Sequence, residues 1–235
     1  MNVVESVLAA LEESDANRTP KPLEEGHAPV ELSDDNYHVF EPEPGRLTFI
    51  DGGNAELIGA ASFSLQLLRF ATVTYEGRER AEQEREEFYA LATSDGDEYT
   101  VETFPSHFTV RCDVEDDSLS PAGERVSPAR VCQLYRRLYE LRLAERDGRV
   151  VVDGALIGSH AKEEQYLENL ESVCGVAKTS DVVTRGGSLV AALLDKQGSW
   201  YYHPVYDGGT PVSFARLHAE ANHVFRIDMD RFNMV

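Results

Sequence analysis

The chain has 235 residues, 42% of them hydrophobic, enough for one large domain or two small ones with a sizeable core. Acidic residues outnumber basic ones 42 to 22, a formal net charge of -20, and only Lys21, Lys162, Lys178 and Lys196 are lysines. No stretch approaches the ~20 consecutive apolar residues of a membrane helix. The first residues carry Glu5, Glu12 and Glu13 without a basic flank, which argues against a secretory signal and predicts a cytoplasmic protein. Cys112, Cys132 and Cys174 are odd in number and widely spaced, so neither a disulfide framework nor a zinc site is expected.

The acidity is spread along the chain rather than blocked, which favours adaptation to molar salt over binding of a basic partner. At ~1 M salt the Debye length is about 3 Å, and a self-repelling surface is screened. An acidic chain binds nucleic acid poorly in ordinary salt, where counterion release supplies most of the affinity. In molar salt that contribution is small for every protein, so the charge does not exclude a nucleic-acid substrate.

In chain order, residues 2–13 place Val4, Val7, Leu8 and Leu11 at helical spacing and predict an amphipathic helix. Residues 14–46, with Pro20, Pro22, Pro29, Pro42 and Pro44, read as a wrapping arm. Leu47-Thr48-Phe49-Ile50 is a short strand ending at Asp51. Residues 56–76 read as a strand pair, with alternation clearest at 71–75. The charged run 78–92 fits either a helix or a polar strand, and Tyr99 to Arg111 reads as strand. Ser127-Pro128 opens the clearest helix, running to about Glu145 with Val131, Leu134, Leu138 and Leu141 as its apolar stripe. A buried strand at 149–152 follows, then a helix at 162–172 and a strand at 173–177. The stretch 188–195 is ambiguous, and strands follow at 200–205 and 223–229. Alternating strands and helices indicate a mixed α/β sheet.

Five Asp-Gly pairs occur, and most such pairs are turns. Asp51 and Asp153 differ, because each ends an apolar strand and faces the crevice where open α/β sheets bind ligands. Two such carboxylates on neighbouring strands repel unless a cation lies between them, and Mg²⁺ or Mn²⁺ takes hard oxygen ligands of this kind. The plainer reading is two strand-ending turns. Glu140 and Glu145 both offer a third carboxylate. The helical wheel puts Glu140 opposite the apolar stripe and Glu145 near it, and the pattern does not choose between them. Either is also readable as a solvated helix glutamate.

Phe49-Ile50-Asp51-Gly52-Gly53 resembles the first motif of the NurA nucleases. Residues 138–144 (LYELRLA), followed by 151–156 (VVDGAL), resemble that family's helix glutamate and second strand-aspartate-glycine motif. Residues 175–180 (GVAKTS) are similar to its next strand and polar loop, and 218–228 (HAEANHVFRID) to its late strand. The likeness covers about Arg46 to Asp228 in the family's motif order.

The resemblance implies a ribonuclease-H-like mixed sheet flanked by helices, with residues 1–45 as an N-terminal helix and arm and 46–235 as the nuclease domain. It implies a Mn²⁺ or Mg²⁺ site made by Asp51, Glu140 and Asp153, with Lys178 on a phosphate oxygen. As an isolated residue, Lys178 reads equally well as a surface lysine. It further implies DNA hydrolysis in double-strand break resection, a HerA-type hexameric ATPase as partner, a homodimer, and an N-terminal region that contributes to dimer or ATPase contacts. Family members continue into a helical segment with a histidine near the metal. His203, His218 and His223 do not sit in that motif, so a short member with an incomplete site is expected. Two other functions compete. One is a non-catalytic scaffold on a HerA-type ring. The other is an actin-like or sugar-kinase ATPase, which Asp51-Gly52-Gly53-Asn54 does not match in form.

The charge alone generates one expected outcome. Thermal unfolding followed by circular dichroism will show a lower Tm in dilute buffer than in molar KCl, through unscreened repulsion. Equal melting temperatures would refute the high-salt reading.

Overall fold

From Arg46 to Asp95 the chain alternates side chains across long extended segments, and this period of two builds a meander of three antiparallel strands. The computed structural model describes residues 30–40, 45–119, 125–146, 148–184, 187–207 and 210–229. The helix expected at 2–13 and the prolines of the expected arm lie outside these residues. In chain order the elements are β1 (Tyr37–His38), β2 (Arg46–Ala60), β3 (Phe63–Glu76), β4 (Glu79–Asp95), β5 (Glu98–Phe104), β6 (Val110–Asp113), α1 (Pro128–Ala144) and β7 (Arg149–Asp153). There follow α2 (Ala161–Asn169), β8 (Val173–Ala177), β9 (Val183–Thr184), β10 (Gly187–Ser188), α3 (Leu189–Leu194), β11 (Trp200–Asp207), β12 (Thr210–Arg216) and β13 (Phe225–Met229).

The described residues divide into two units, those within 39–179 together with 225–229, and 30–38 together with those within 180–224. Of the described residues of the expected arm, 30–38 group with 180–224, and 39–40 and 45–46 with the larger unit.

In the larger unit the strands lie in the order β13-β8-β7-β2-β3-β4-β5-β6. β2 runs parallel to β7, and β7 parallel to β8, while the other pairs are antiparallel. A three-stranded meander whose first strand gains two parallel neighbours through helical crossovers is the expected ribonuclease-H-like arrangement.

The structure corrects one strand reading and decides another that the sequence left open. β2 does not stop at Asp51 but continues to Ala60, paired throughout with β3. Only its pairing with β7 ends there, at Ile50 and Val152. The charged run 78–92 is strand, within β4, and not helix. Its first half is exposed, so charges occupy both faces, whereas Phe88, Ala90 and Ala92 turn inward at period two.

Ser127 caps α1, its Oγ accepting the Arg130 N–H at 3.2 Å, and Pro128 occupies the first turn. Val131, Leu134, Leu138 and Leu141 are buried as the stripe requires. Cys132, Tyr135, Tyr139, Glu140 and Ala144 are buried as well, so the covered arc is wider than the stripe. The first part of α1 packs on Leu68, Phe70, Phe88 and Val101 of the meander. Its last turns join α2 in covering Ile50, Val150, Val152 and Val173. α1 thus spans the point where β2 parts from β7.

In the smaller unit β1, β11 and β12 form an antiparallel sheet, and β9 pairs with β10. Its core is Leu189, Leu193, Trp200, Tyr202, Val212 and Phe214. The Ser33 N–H donates to the Tyr202 hydroxyl at 3.0 Å, securing the segment before β1. Among the described residues no helix is long and apolar enough to cross a membrane.

Candidate active site

β2 and β7 are adjacent and parallel, with Ile50 opposite Val152. Asp51 and Asp153 are each the next residue, so they sit side by side where the pairing ends, and both are exposed. Gly52 follows. A Cβ at Gly52 would lie 2.8 Å from the Phe70 ring and collide with the Glu140 carboxylate, so position 52 faces α1. Strand alternation then turns Asp51 toward the other face of the sheet. Glycine at 52 is therefore the opening through which Glu140 approaches the strand beside Asp51.

Glu140, on α1, is 1% exposed. The helical wheel misplaced both glutamates. Glu140 is buried at the β2–β7 junction, while Glu145 is exposed at the C-cap of α1. The reason is the breadth of the covered arc, since a residue opposite the apolar stripe still meets the strand ends.

Two arginines hold the Glu140 carboxylate. Arg136 Nη1 donates to Glu140 Oε1 and also to the Gly52 carbonyl at 2.8 Å. Arg137 Nη1 approaches Glu140 Oε2 at 3.4 Å and donates to the Asp153 carbonyl at 2.9 Å, while Nη2 donates to the Ala155 carbonyl at 2.7 Å. Burial pushes the Glu140 carboxyl up to about 7. The two guanidiniums pull it down by less than that rise, and the nearby Asp51 charge adds to it.

Lys178 is exposed immediately after β8, at the same end of the parallel strands as Asp153, which pairs with Val176. Asp228 on β13 is 4% exposed. It accepts the Leu156 N–H at 2.9 Å and the Arg226 Nε–H at 2.7 Å, fixing the loop after β7. His203, His218 and His223 belong to the smaller unit. Sequence reasoning passed over Arg136, Arg137 and Asp228. The i,i+4 and i,i+3 spacing of Arg136 and Arg137 to Glu140 was a legible signal. Nothing in the sequence marked Asp228 as the anchor of a distant loop.

A cleft of about 340 Å³ adjoins the carboxylates, lined by Arg130, Gln133, Arg136, Arg137, Glu140, Asp153 and Ser159 among others. Hard carboxylate oxygens suit a divalent cation. Asp51 and Glu140 are close enough to repel, and the Arg136 guanidinium stands in as the local cation. The donor types therefore fit. Among the described residues, however, no three His, Cys, Asp or Glu are already grouped to hold a metal. Coordination by the full set requires the exposed Asp51 and Asp153 side chains to turn toward Glu140 and the Arg136 guanidinium to leave it.

The raised Glu140 carboxyl predicts a pH effect with a definite sign. Below about 4.5, its ordinary value, the group is protonated in both folded and unfolded chains. Between that value and about 7 the folded chain binds the proton more tightly, so Glu140's contribution to stability falls as pH rises. Glu140→Gln lacks this slope. The Tm of Glu140→Gln minus that of wild type should climb from pH 4.5 to 7 and level off above it. A difference that declines over that range would show the arginines outweighing burial.

No family model and no curated protein matches the chain. Several solved structures are similar to it. The NurA nuclease from Sulfolobus solfataricus aligns over 97% of this chain and 78% of its own, at 12% identity and a TM-score of 0.49. A NurA crystallised with manganese aligns over 96% of this chain and 85% of its own, at 9% identity and a TM-score of 0.44. The catalytic domain of human endonuclease V aligns over 96% and 82%, at 14% identity and a TM-score of 0.38. The functional reading accordingly rests on the geometry of the site.

Proposed function

We propose that the chain is a metal-dependent DNA nuclease of the NurA type, with Asp51, Glu140 and Asp153 as its acidic centre and Mn²⁺ or Mg²⁺ as its cofactor. The observation that supports this reading is that Asp51 and Asp153 follow the last pair of the parallel β2–β7 register, while Glu140 of α1 packs against Gly52, the residue after Asp51. A divalent ion held by these carboxylates would supply the Lewis acidity that phosphodiester hydrolysis needs. Asp51 and Asp153 supply exposed oxygens from adjacent strands. Glu140 is held from the opposite side, and its carboxyl, titrating near neutrality, must lose its proton before it serves as a ligand. Lys178, at the same strand end, neutralises a phosphate oxygen of the strand being cut. The chain's net charge of -20 supports assaying this chemistry in molar salt.

DNA hydrolysis with Mn²⁺ in molar KCl is the deciding assay. Asp51→Asn, Asp153→Asn and Glu140→Gln should each lose activity by ~100-fold or more, while exposed Glu145→Gln stays near wild type. Full activity in any of the first three removes that residue from the centre. A second reading, a non-catalytic scaffold, is favoured by the ion pairs that occupy Glu140. A wild-type chain inactive with either metal would establish that reading instead.

The partner assignments are proposals of the same kind. Work in DNA break resection with a HerA-type ATPase rests on the motif resemblance. For the homodimer there is added support from β2. Beyond Ile50 its outer edge has no strand beside it among the described residues, residues 53–60 are exposed, and Leu57 and Ile58 are 50% and 57% exposed. An open apolar strand edge is a template for pairing with another chain. Sedimentation of wild type and Ile58→Lys, alone and with a HerA-type ATPase, tests both. Wild type should be dimeric and the variant monomeric. Identical states would exclude the β2 edge, and no joint boundary would exclude the ATPase.

A further inference from the structure

We propose that Arg136 is an exchangeable counter-ion of the acidic centre, occupying the place a divalent cation takes and withdrawing into the adjacent cleft when one binds. The inference rests on the metal reading above and assigns a positioning residue that sets how readily the centre loads.

A carboxylate buried as deeply as Glu140 needs a cation beside it. Two guanidiniums serve it, but they are held differently. Arg137 is 14% exposed and fastened to two backbone carbonyls, those of Asp153 and Ala155, through both of its terminal nitrogens. Arg136 is 27% exposed, and both its bonds, to Glu140 Oε1 and the Gly52 carbonyl, leave from the same nitrogen, Nη1. Its Nε is buried without a hydrogen-bond partner. A guanidinium is a rigid fork of five donors, and a seat that leaves one buried donor unpaired suits it poorly. The same seat, between a carboxylate oxygen and a carbonyl oxygen, offers hard ligands to a compact ion.

There is also room to leave. The cleft of about 340 Å³ beside Glu140 is lined by Arg136 itself together with Arg130 and Gln133. A rotamer change carries the guanidinium there without moving α1. Arg137, pinned to the loop after β7, keeps Glu140 oriented during the exchange. Cation and Arg136 then compete for one carboxylate, so the arginine lowers metal affinity while protecting the buried charge in the metal-free chain.

The test is Mn²⁺ binding to the full chain by calorimetry, with folding of each variant checked by circular dichroism. Arg136→Met, which keeps the aliphatic stem, should bind Mn²⁺ on the order of tenfold tighter than wild type. Arg136→Lys, retaining the charge, should stay near wild type, and Arg137→Met should not gain affinity. Equal or weaker binding by Arg136→Met overturns the proposal and leaves the metal reading intact if wild type still binds. No Mn²⁺ binding by wild type or any variant overturns both. If Arg136→Met does not fold, the ¹⁵Nε resonance of Arg136 in the wild-type chain decides. It should shift on addition of Mg²⁺ while that of Arg137 stays, and an unmoved Arg136 signal overturns the proposal.

Discussion

Everything at the candidate site depends on one buried charge. Glu140 is 1% exposed on a helix that crosses the point where two parallel strands separate. A carboxylate in that position is costly unless neutralised, and the surrounding features follow from this constraint. Gly52 lacks the side chain that would displace it, Arg136 ties it to β2, and Arg137 ties it to the loop after β7. The burial that makes the residue expensive also lifts its carboxyl to about 7, where small changes in nearby charge alter its protonation.

The sheet supplies the other two carboxylates at little cost. Asp51 and Asp153 are exposed, and each belongs to a strand whose neighbouring residues are fixed by pairing. β2 remains paired with β3 past Asp51, so this aspartate sits on a rigid backbone instead of a turn. β7 ends at Asp153, and its loop is braced by Arg137 and by Asp228 accepting the Leu156 N–H. The strands fix the backbones of both aspartates, while Asp51 itself is turned to the face of the sheet away from α1.

Much of this was legible in the sequence because it is written in local periodicity. Ser127-Pro128 and the stripe from Val131 to Leu141 specify α1, and Val150-Val151-Val152 specifies a buried strand. The two strand aspartates were found by the same logic. What escaped depends on tertiary context. The wheel placed Glu140 away from the apolar stripe because it treats a helix as covered on one side, whereas α1 meets both the meander and the junction with β7. β4 was left open between helix and strand because half of it is a charged, exposed arm, and its period-two signal appears only at Phe88, Ala90 and Ala92. β12 was missed because it is buried at every position from Val212 to Arg216 and shows no alternation, and Ser188 to Asp195 stayed ambiguous because a six-residue helix carries too few periods to decide.

We have proposed a cation centre at the β2–α1–β7 junction, with Arg136 as its counter-ion in the metal-free chain. Anomalous diffraction at the manganese edge, from crystals grown with Mn²⁺, would locate the ion. An anomalous peak is expected within ~2.0–2.6 Å of Glu140 and at least one of Asp51 and Asp153, with the Arg136 guanidinium turned into the cleft. Crystals that hold Mn²⁺ elsewhere, or not at all, with Arg136 still donating to Glu140 and Gly52, would contradict it.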